Sequence, residues 1–210
     1  MRAILRFLTL VALVATPSIS FAQVAELRLG EQVVFTRDSG GVRQRIPQTT
    51  LDGFVYFSES AGAWGFCYGE KYYGSCTAGL FLDFTSWFEV AVAGGAERFR
   101  GDDGRNQTMG RYALSALFFG ESICPLELYY ENGASGEYWH QGSIMCEPAR
   151  GLSFGIIEQR QVGIGPALKL RPIRAIPIEV WGARVYDPEL PPQFRWNWTA
   201  GIRLVFQREK

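Results

Sequence analysis

Residues 137–147 (EYWHQGSIMCE) contain the chain's single histidine, His140, with Ser143 three residues on and Glu137 and Glu147 at either end. A hydroxyl, an imidazole and a carboxylate are the parts of a hydrolytic set, in which the imidazole takes the hydroxyl proton and the carboxylate orients the imidazole. The spacing works against assembly here. Side chains alternate between the two faces of a strand, so residues 140 and 143 point to opposite sides. His140 therefore reads as a structural or loop residue. We assign no catalytic residue, no cofactor and no metal ligand from the sequence.

The other reactive side chains are four cysteines, Cys67, Cys76, Cys124 and Cys146. An even number of cysteines in an exported chain implies disulfides, although four allow three pairings. Cys67 and Cys76 flank a plausible hairpin end, and Cys124 and Cys146 are equidistant from the turn-like ENGASG, so the local pairs 67–76 and 124–146 are favoured. No CxxC spacing occurs and there is one histidine, which disfavours zinc. Arg100-Gly101-Asp102 reads as a turn. Asp102, Asp103 and Asn106 lack the spacing of a calcium loop. The glycine pairs Gly40-Gly41 and Gly94-Gly95 follow no strand–loop–helix pattern, so no phosphate cradle is implied.

Residues 1–22 have the parts of a secretory signal: Arg2 and Arg6, an apolar stretch from Phe7 to Ala15, and Ser20-Phe21-Ala22 before Gln23. The domain reading is a signal at 1–22, an N-terminal arm or first strand at 23–52, and a β-barrel at 53–210. The whole chain carries 21 basic and 21 acidic residues, so removing Arg2 and Arg6 leaves a near-neutral protein. That balance disfavours a nucleic-acid partner, which calls for a basic patch. Glycines and prolines are scattered throughout, as many short strands and turns require.

Alternation with a period of two dominates the exported part. Phe88, Val90 and Val92 alternate with Glu89, Ala91 and Ala93, and Leu126, Leu128 and Tyr130 with Glu127, Tyr129 and Glu131. The pattern predicts strands near 86–99, 111–119, 124–131, 137–146, 151–160, 163–171, 175–186 and 194–206, with 53–60, 63–68 and 76–84 available for two more. The segment 24–52 is polar and less regular. Pro125, Pro166 and Pro177 lie in or beside these strands and must occupy rims or bulges.

The last strand is the most regular. Trp196, Trp198, Ala200, Ile202, Leu204 and Phe206 share one face, and Arg195, Asn197, Thr199 and Arg203 lie on the other. Thr199, Gly201, Leu204 and Phe206 also fill the polar, glycine, apolar and aromatic positions of the terminal strand signature of bacterial outer-membrane β-barrels, which this segment resembles. Gln207-Arg208-Glu209-Lys210 then extends past the aromatic residue, a departure from that family. The resemblance implies a transmembrane barrel in the outer membrane, and with the strand pattern it gives an antiparallel up-and-down barrel of 8, possibly 10, strands. Outer-membrane lipid and the barrel-assembly machinery are the implied partners. Membrane strands need about 9–11 residues and alternate lipid-facing apolar with lumen-facing polar side chains.

An eight-stranded barrel is filled by its own side chains. Glu89, Glu127, Glu131, Lys169, Glu179, Arg195 and Arg203 are therefore expected to pair inside as a polar plug, leaving function to the loops or to an envelope role. Trp87, Trp181, Trp196, Trp198, Tyr112 and Tyr186 lie near strand ends, where aromatic girdles form. Two alternatives remain open. One is a lipid-modifying enzyme: outer-membrane lipid A deacylases use a serine–histidine set, but their histidine and serine stand two apart and are followed by asparagine, which this chain lacks. The other is a soluble periplasmic or secreted ligand-binding barrel, which shows the same alternation.

Overall fold

The computed structural model describes residues 24–37, 40–100, 104–118, 124–136, 138–160, 162–171, 177–188 and 190–209. The signal reading at 1–22 lies outside the described residues. Twelve strands form one closed antiparallel barrel in which each pairs with its sequence neighbours and the first pairs with the last. They are β1 (Val24–Arg37), β2 (Arg43–Tyr56), β3 (Ala61–Gly69), β4 (Tyr73–Thr85), β5 (Phe88–Arg100), β6 (Asn106–Phe118), β7 (Leu126–Gly133), β8 (Tyr138–Ala149), β9 (Leu152–Gln159), β10 (Gly163–Leu170), β11 (Ile178–Tyr186) and β12 (Trp196–Glu209). The β1–β12 seam runs from Val24↔Glu209 to Phe35↔Trp198, so both strands are paired along nearly their whole length.

The strand count corrects the expected 8 or 10. The segment 24–52, read as an N-terminal arm or first strand, supplies two strands' worth of wall, β1 and most of β2, paired from Ala25↔Val55 to Arg37↔Arg43. The alternation is hard to see there because the inward positions are polar (Glu26, Arg28, Gln32, Gln48, Thr50, Asp52) and the outward ones include Glu31, Pro47 and Thr49.

Closure also explains the prolines. Pro125 and Pro177 precede β7 and β11 at the rim, and Pro148 falls where the β8–β9 register shifts between Cys146 and Ala149. Pro166 is inside β10. Its ladder to β9 is continuous at Pro166↔Ile156, whereas the ladder to β11 passes from Ile164↔Tyr186 to Ala167↔Ala183. The missing N–H thus coincides with a gap in pairing, as proline in a sheet requires.

The greasy face of the last strand points outward. Trp196, Trp198, Ile202 and Phe206 are exposed, while Asn197, Thr199 and Val205 are buried inside. The same orientation recurs around the wall, with Leu27 and Leu29 of β1, Leu80 and Leu82 of β4, Val92 of β5, Leu114 of β6, Ile144 of β8, Ile156 of β9 and Leu168 of β10 all exposed. Both disulfides, Cys67–Cys76 and Cys124–Cys146, are formed, and both tie neighbouring segments of a hairpin.

Candidate functional site: the barrel lumen

A lumen ringed by twelve strands is too wide to be filled by side chains that reach only their nearest neighbours, and here three groups divide it. The first is an aromatic bridge. Phe66 of β3 lies 5.3 Å from Tyr129 of β7 and 5.8 Å from Trp139 of β8, Tyr129 and Trp139 are 5.4 Å apart, and Trp64 of β3 is 5.7 Å from Tyr129 (ring centroids). β3 is not a sheet neighbour of β7 or β8, so the contacts of Phe66 and Trp64 run across the interior. Their edge-to-face and stacked geometries are those favoured by the aromatic quadrupole.

The second group fills the space between β4 and β7 toward the loop end, the end away from the termini. Arg111 of β6 donates from Nη1 to Glu97 Oε2 of β5 at 2.6 Å and from Nε to Glu131 Oε2 of β7. Ser135 donates to Glu97 Oε1 from its hydroxyl at 2.6 Å and its backbone N–H at 3.2 Å, and the Tyr73 hydroxyl donates to Oε2 at 3.2 Å. Glu131 also accepts from Tyr129, and from Ser75 and Thr77 at 3.4 Å each. The side chains of Glu97, Arg111 and Glu131 are at most 2 % exposed. Charges this deeply buried persist only when paired and hydrogen-bonded on every side, as these are.

The third group is apolar. Val34 of β1, Val162, Ala167 of β10 and Ala183 and Val185 of β11 form a buried cluster, with Ile46 packed against it. Beside it the polar inward positions Gln48, Asn197 and Thr199 are buried as well.

Below these groups a cavity of about 710 Å³ remains, reaching Glu26, Tyr56, Glu89, Pro125 and Arg171 at the terminus-side ends of their strands. Its β10–β2 wall is charged and largely paired within itself, with the Nε of Arg171 left without a hydrogen-bond partner. Arg28 pairs with Glu26 and, at 3.5 Å, with Asp52; Glu179 faces Lys169 at 3.8 Å and Arg203 at 3.6 Å. Its β2–β4 wall is aromatic, with Phe54, Tyr56, Trp64, Phe66 and Phe81.

Of the lumen residues expected from the sequence, Glu131, Lys169, Glu179 and Arg203 are paired inside, and Glu89 accepts from the Tyr56 hydroxyl at 3.4 Å. Glu127 lines the cavity. Arg195 instead caps the loop-end rim, donating to Leu190 O and to the Tyr186 hydroxyl, each at 2.9 Å. The expected filled interior gives way to a partly filled one, since twelve strands enclose more than their own side chains occupy. Glu97, Arg111, Arg28 and Asp52 were not singled out from the sequence. Arg28 and Asp52 fall in the segment read as irregular, and the Glu97–Arg111–Glu131 contacts depend on the strand register.

The hydrolytic set is not assembled. His140 faces outward and its Nε2 lies 2.8 Å from Glu158 Oε1 of β9, on the outside of the wall. Ser143 points the other way and lines the lumen. Glu147 accepts from the Gly151 backbone N–H at 2.8 Å, and Glu137 lies outside the described residues. Asp102 and Asp103 also lie outside them. Trp87, Trp196, Trp198 and Tyr112 are exposed on the exterior, whereas Trp181 lines the cavity.

Fold and lumen together define a closed antiparallel β-barrel with an apolar exterior and a charged, partly filled interior. No protein-family model matches the chain, and no curated protein matches it. Among solved structures it is similar to the Salmonella typhi OmpF complex with daunomycin, at 7% identity and a TM-score of 0.36, over 90% of this chain and 99% of that chain. A likeness this distant carries no argument about function.

Proposed function

We propose that this chain is an outer-membrane β-barrel protein whose lumen is blocked toward the loop end, serving the envelope as an interaction or structural component and not as a wide diffusion pore. The apolar exterior is the observation that carries the reading. Soluble monomers rarely expose contiguous apolar patches beyond about a few hundred Å². Here exposed leucine, isoleucine, valine and aromatic side chains run around the wall from β1 to β12. Polar groups that interrupt this face are paired beside it: Glu31 accepts from the Thr49 hydroxyl at 2.6 Å, and His140 meets Glu158. Exposed Trp196, Trp198, Tyr112 and Tyr138 near one rim and Trp87, Phe84 and Phe57 near the other suit two interfacial girdles. The terminal signature, outward on its apolar side, supports recognition by the barrel-assembly machinery. The aromatic bridge, the Glu97–Arg111–Glu131 cluster and the valine cluster speak for a blocked lumen.

Fractionation of cells expressing the full chain, followed by gel electrophoresis with and without boiling, tests the location. Recovery in the outer membrane with a heat-dependent mobility shift is expected. Recovery in the periplasm without a shift would replace this reading with the soluble barrel. In planar bilayers, the purified barrel is expected to show no stable open channel.

A further inference from the structure

We infer that the lumenal cavity is a binding site for an organic cation, an amine or quaternary ammonium carried on an apolar body, entering from the terminus end. Shape, walls and charge each bear on this. The cavity of about 710 Å³ is of the size that small-molecule sites have. One wall offers aromatic faces in mutual contact: Tyr56 is 4.7 Å from Phe81 and 5.8 Å from Phe54, with Trp64 on the neighbouring strand. Such faces attract cations through the ring quadrupole and bury the apolar body of a ligand.

The wall next to it carries Glu89 and Glu127, with Asp83 on the same continuous row of the sheet just beyond the cavity lining. Asp83 pairs with Glu89, Glu89 with Leu117, and Leu117 with Glu127 across β4 to β7. Among the described residues none of the three forms an ion pair with a lysine, arginine or histidine, in contrast to the opposite wall, where Glu26, Asp52 and Glu179 each face a cation. Tyr56 joins the two walls by its 3.4 Å hydrogen bond to Glu89. At the junction Trp64 Nε1, a buried polar atom of the cavity lining, has no hydrogen-bond partner. Native structures rarely leave such an atom unsatisfied. Carboxylates without an ion-pair partner beside aromatic rings form an environment that favours a positive ligand over a neutral one of the same shape. Across the chamber Arg28, Lys169 and Arg203 are engaged by their own carboxylates, although Arg28 also lies within electrostatic reach of Glu127; Arg171, whose Nε has no partner, follows β10, on the far side of the barrel from Glu89 of β5.

The site follows from the lumen alone. Only the side of the membrane from which it fills, the periplasm, rests on the outer-membrane reading. The test is calorimetric titration of the folded barrel in detergent with benzyltrimethylammonium, and with neopentylbenzene as the neutral isostere, each against a detergent blank. Saturable binding of the cation is expected, with at least tenfold weaker binding of the isostere. Glu89→Gln combined with Glu127→Gln is expected to weaken the cation at least tenfold, and Trp64→Leu several-fold; far-UV circular dichroism verifies that each variant is folded. Absence of saturable binding to the folded wild type, equal affinity for cation and isostere, or unchanged affinity in the folded double variant would each overturn the site. These results are independent of the fractionation. A barrel found in the outer membrane that binds nothing refutes the site and spares the location. One found in the periplasm that binds the cation does the reverse.

Discussion

Replacing Val92 with arginine puts the lipid-facing reading under direct test. Val92 lies within β5 and is 59 % exposed, flanked in the sheet by Leu80 at 61 % and Leu114 at 48 %, so the new charge would stand in the middle of an apolar patch. It lies four positions from the terminus-side end of its strand at Phe88, roughly 13 Å along a tilted strand at about 3.3 Å per residue. In a bilayer an arginine at that depth costs about 2–4 kcal/mol. If the same face met water, a substitution at so exposed a position would stay within about 0.5 kcal/mol. The two environments therefore differ by several-fold in the size of the effect. The assay is urea unfolding of the barrel in phospholipid vesicles, followed by tryptophan fluorescence, with Ser58→Arg in the exposed turn between β2 and β3 as the control. With a slope of about 1–3 kcal/mol per molar urea, a loss near 3 kcal/mol moves the midpoint down by about 1–3 M. A midpoint for Val92→Arg indistinguishable from that of Ser58→Arg would refute the argument that this face meets lipid.

Other perturbations address the interior. Arg111→Met leaves two buried carboxylates without their cation and is expected to cost about 3–5 kcal/mol in the same assay; adding Glu97→Gln and Glu131→Gln should recover part of that loss. Gly133→Ala would drive a Cβ into the Glu97 carboxylate, and an overpacking cost of about 1–3 kcal/mol is expected, measured again as a shift in the unfolding midpoint. The disulfides span 9 residues for Cys67–Cys76 and 22 for Cys124–Cys146. On chain-entropy grounds, replacing the second pair by serines should destabilise the barrel by about 1 kcal/mol more than replacing the first; mass mapping of the oxidised protein verifies the pairing and equilibrium unfolding reads the difference.

The strands that sequence periodicity locates best are those with an uninterrupted apolar outer face. The strand predicted near 194–206 corresponds to β12, and those near 163–171 and 151–160 correspond to β10 and β9. In β1 and β2 the outer face carries Glu31, Pro47 and Thr49, so the period-two signal fades and two strands are missed, which alters the strand count and with it the width of the lumen. The inward carboxylates Glu127 and Glu131 stand out because alternation alone assigns their face. Arg111 does not, because its role depends on meeting Glu97 and Glu131 from two flanking strands, 14 and 20 residues away in sequence. The aromatic bridge is less legible still, since Phe66, Tyr129 and Trp139 acquire a shared purpose only once the sheet has curled far enough to bring β3 opposite β8.

That bridge has a kinetic consequence. Strand pairs β1·β2 to β11·β12 join sequence neighbours, so each hairpin can form from local chain. The β1–β12 seam and the Phe66–Trp139 contact join segments far apart in sequence, and the entropy of ordering the intervening chain opposes them until the hairpins are in place. Both are products of closure and contribute little before it. Interactions formed after the transition state act on the rate of unfolding and leave the rate of folding nearly untouched. Phe66 and Trp139 are therefore expected to work as a latch, leaving the speed of assembly nearly untouched and lengthening the lifetime of the closed barrel once it has formed.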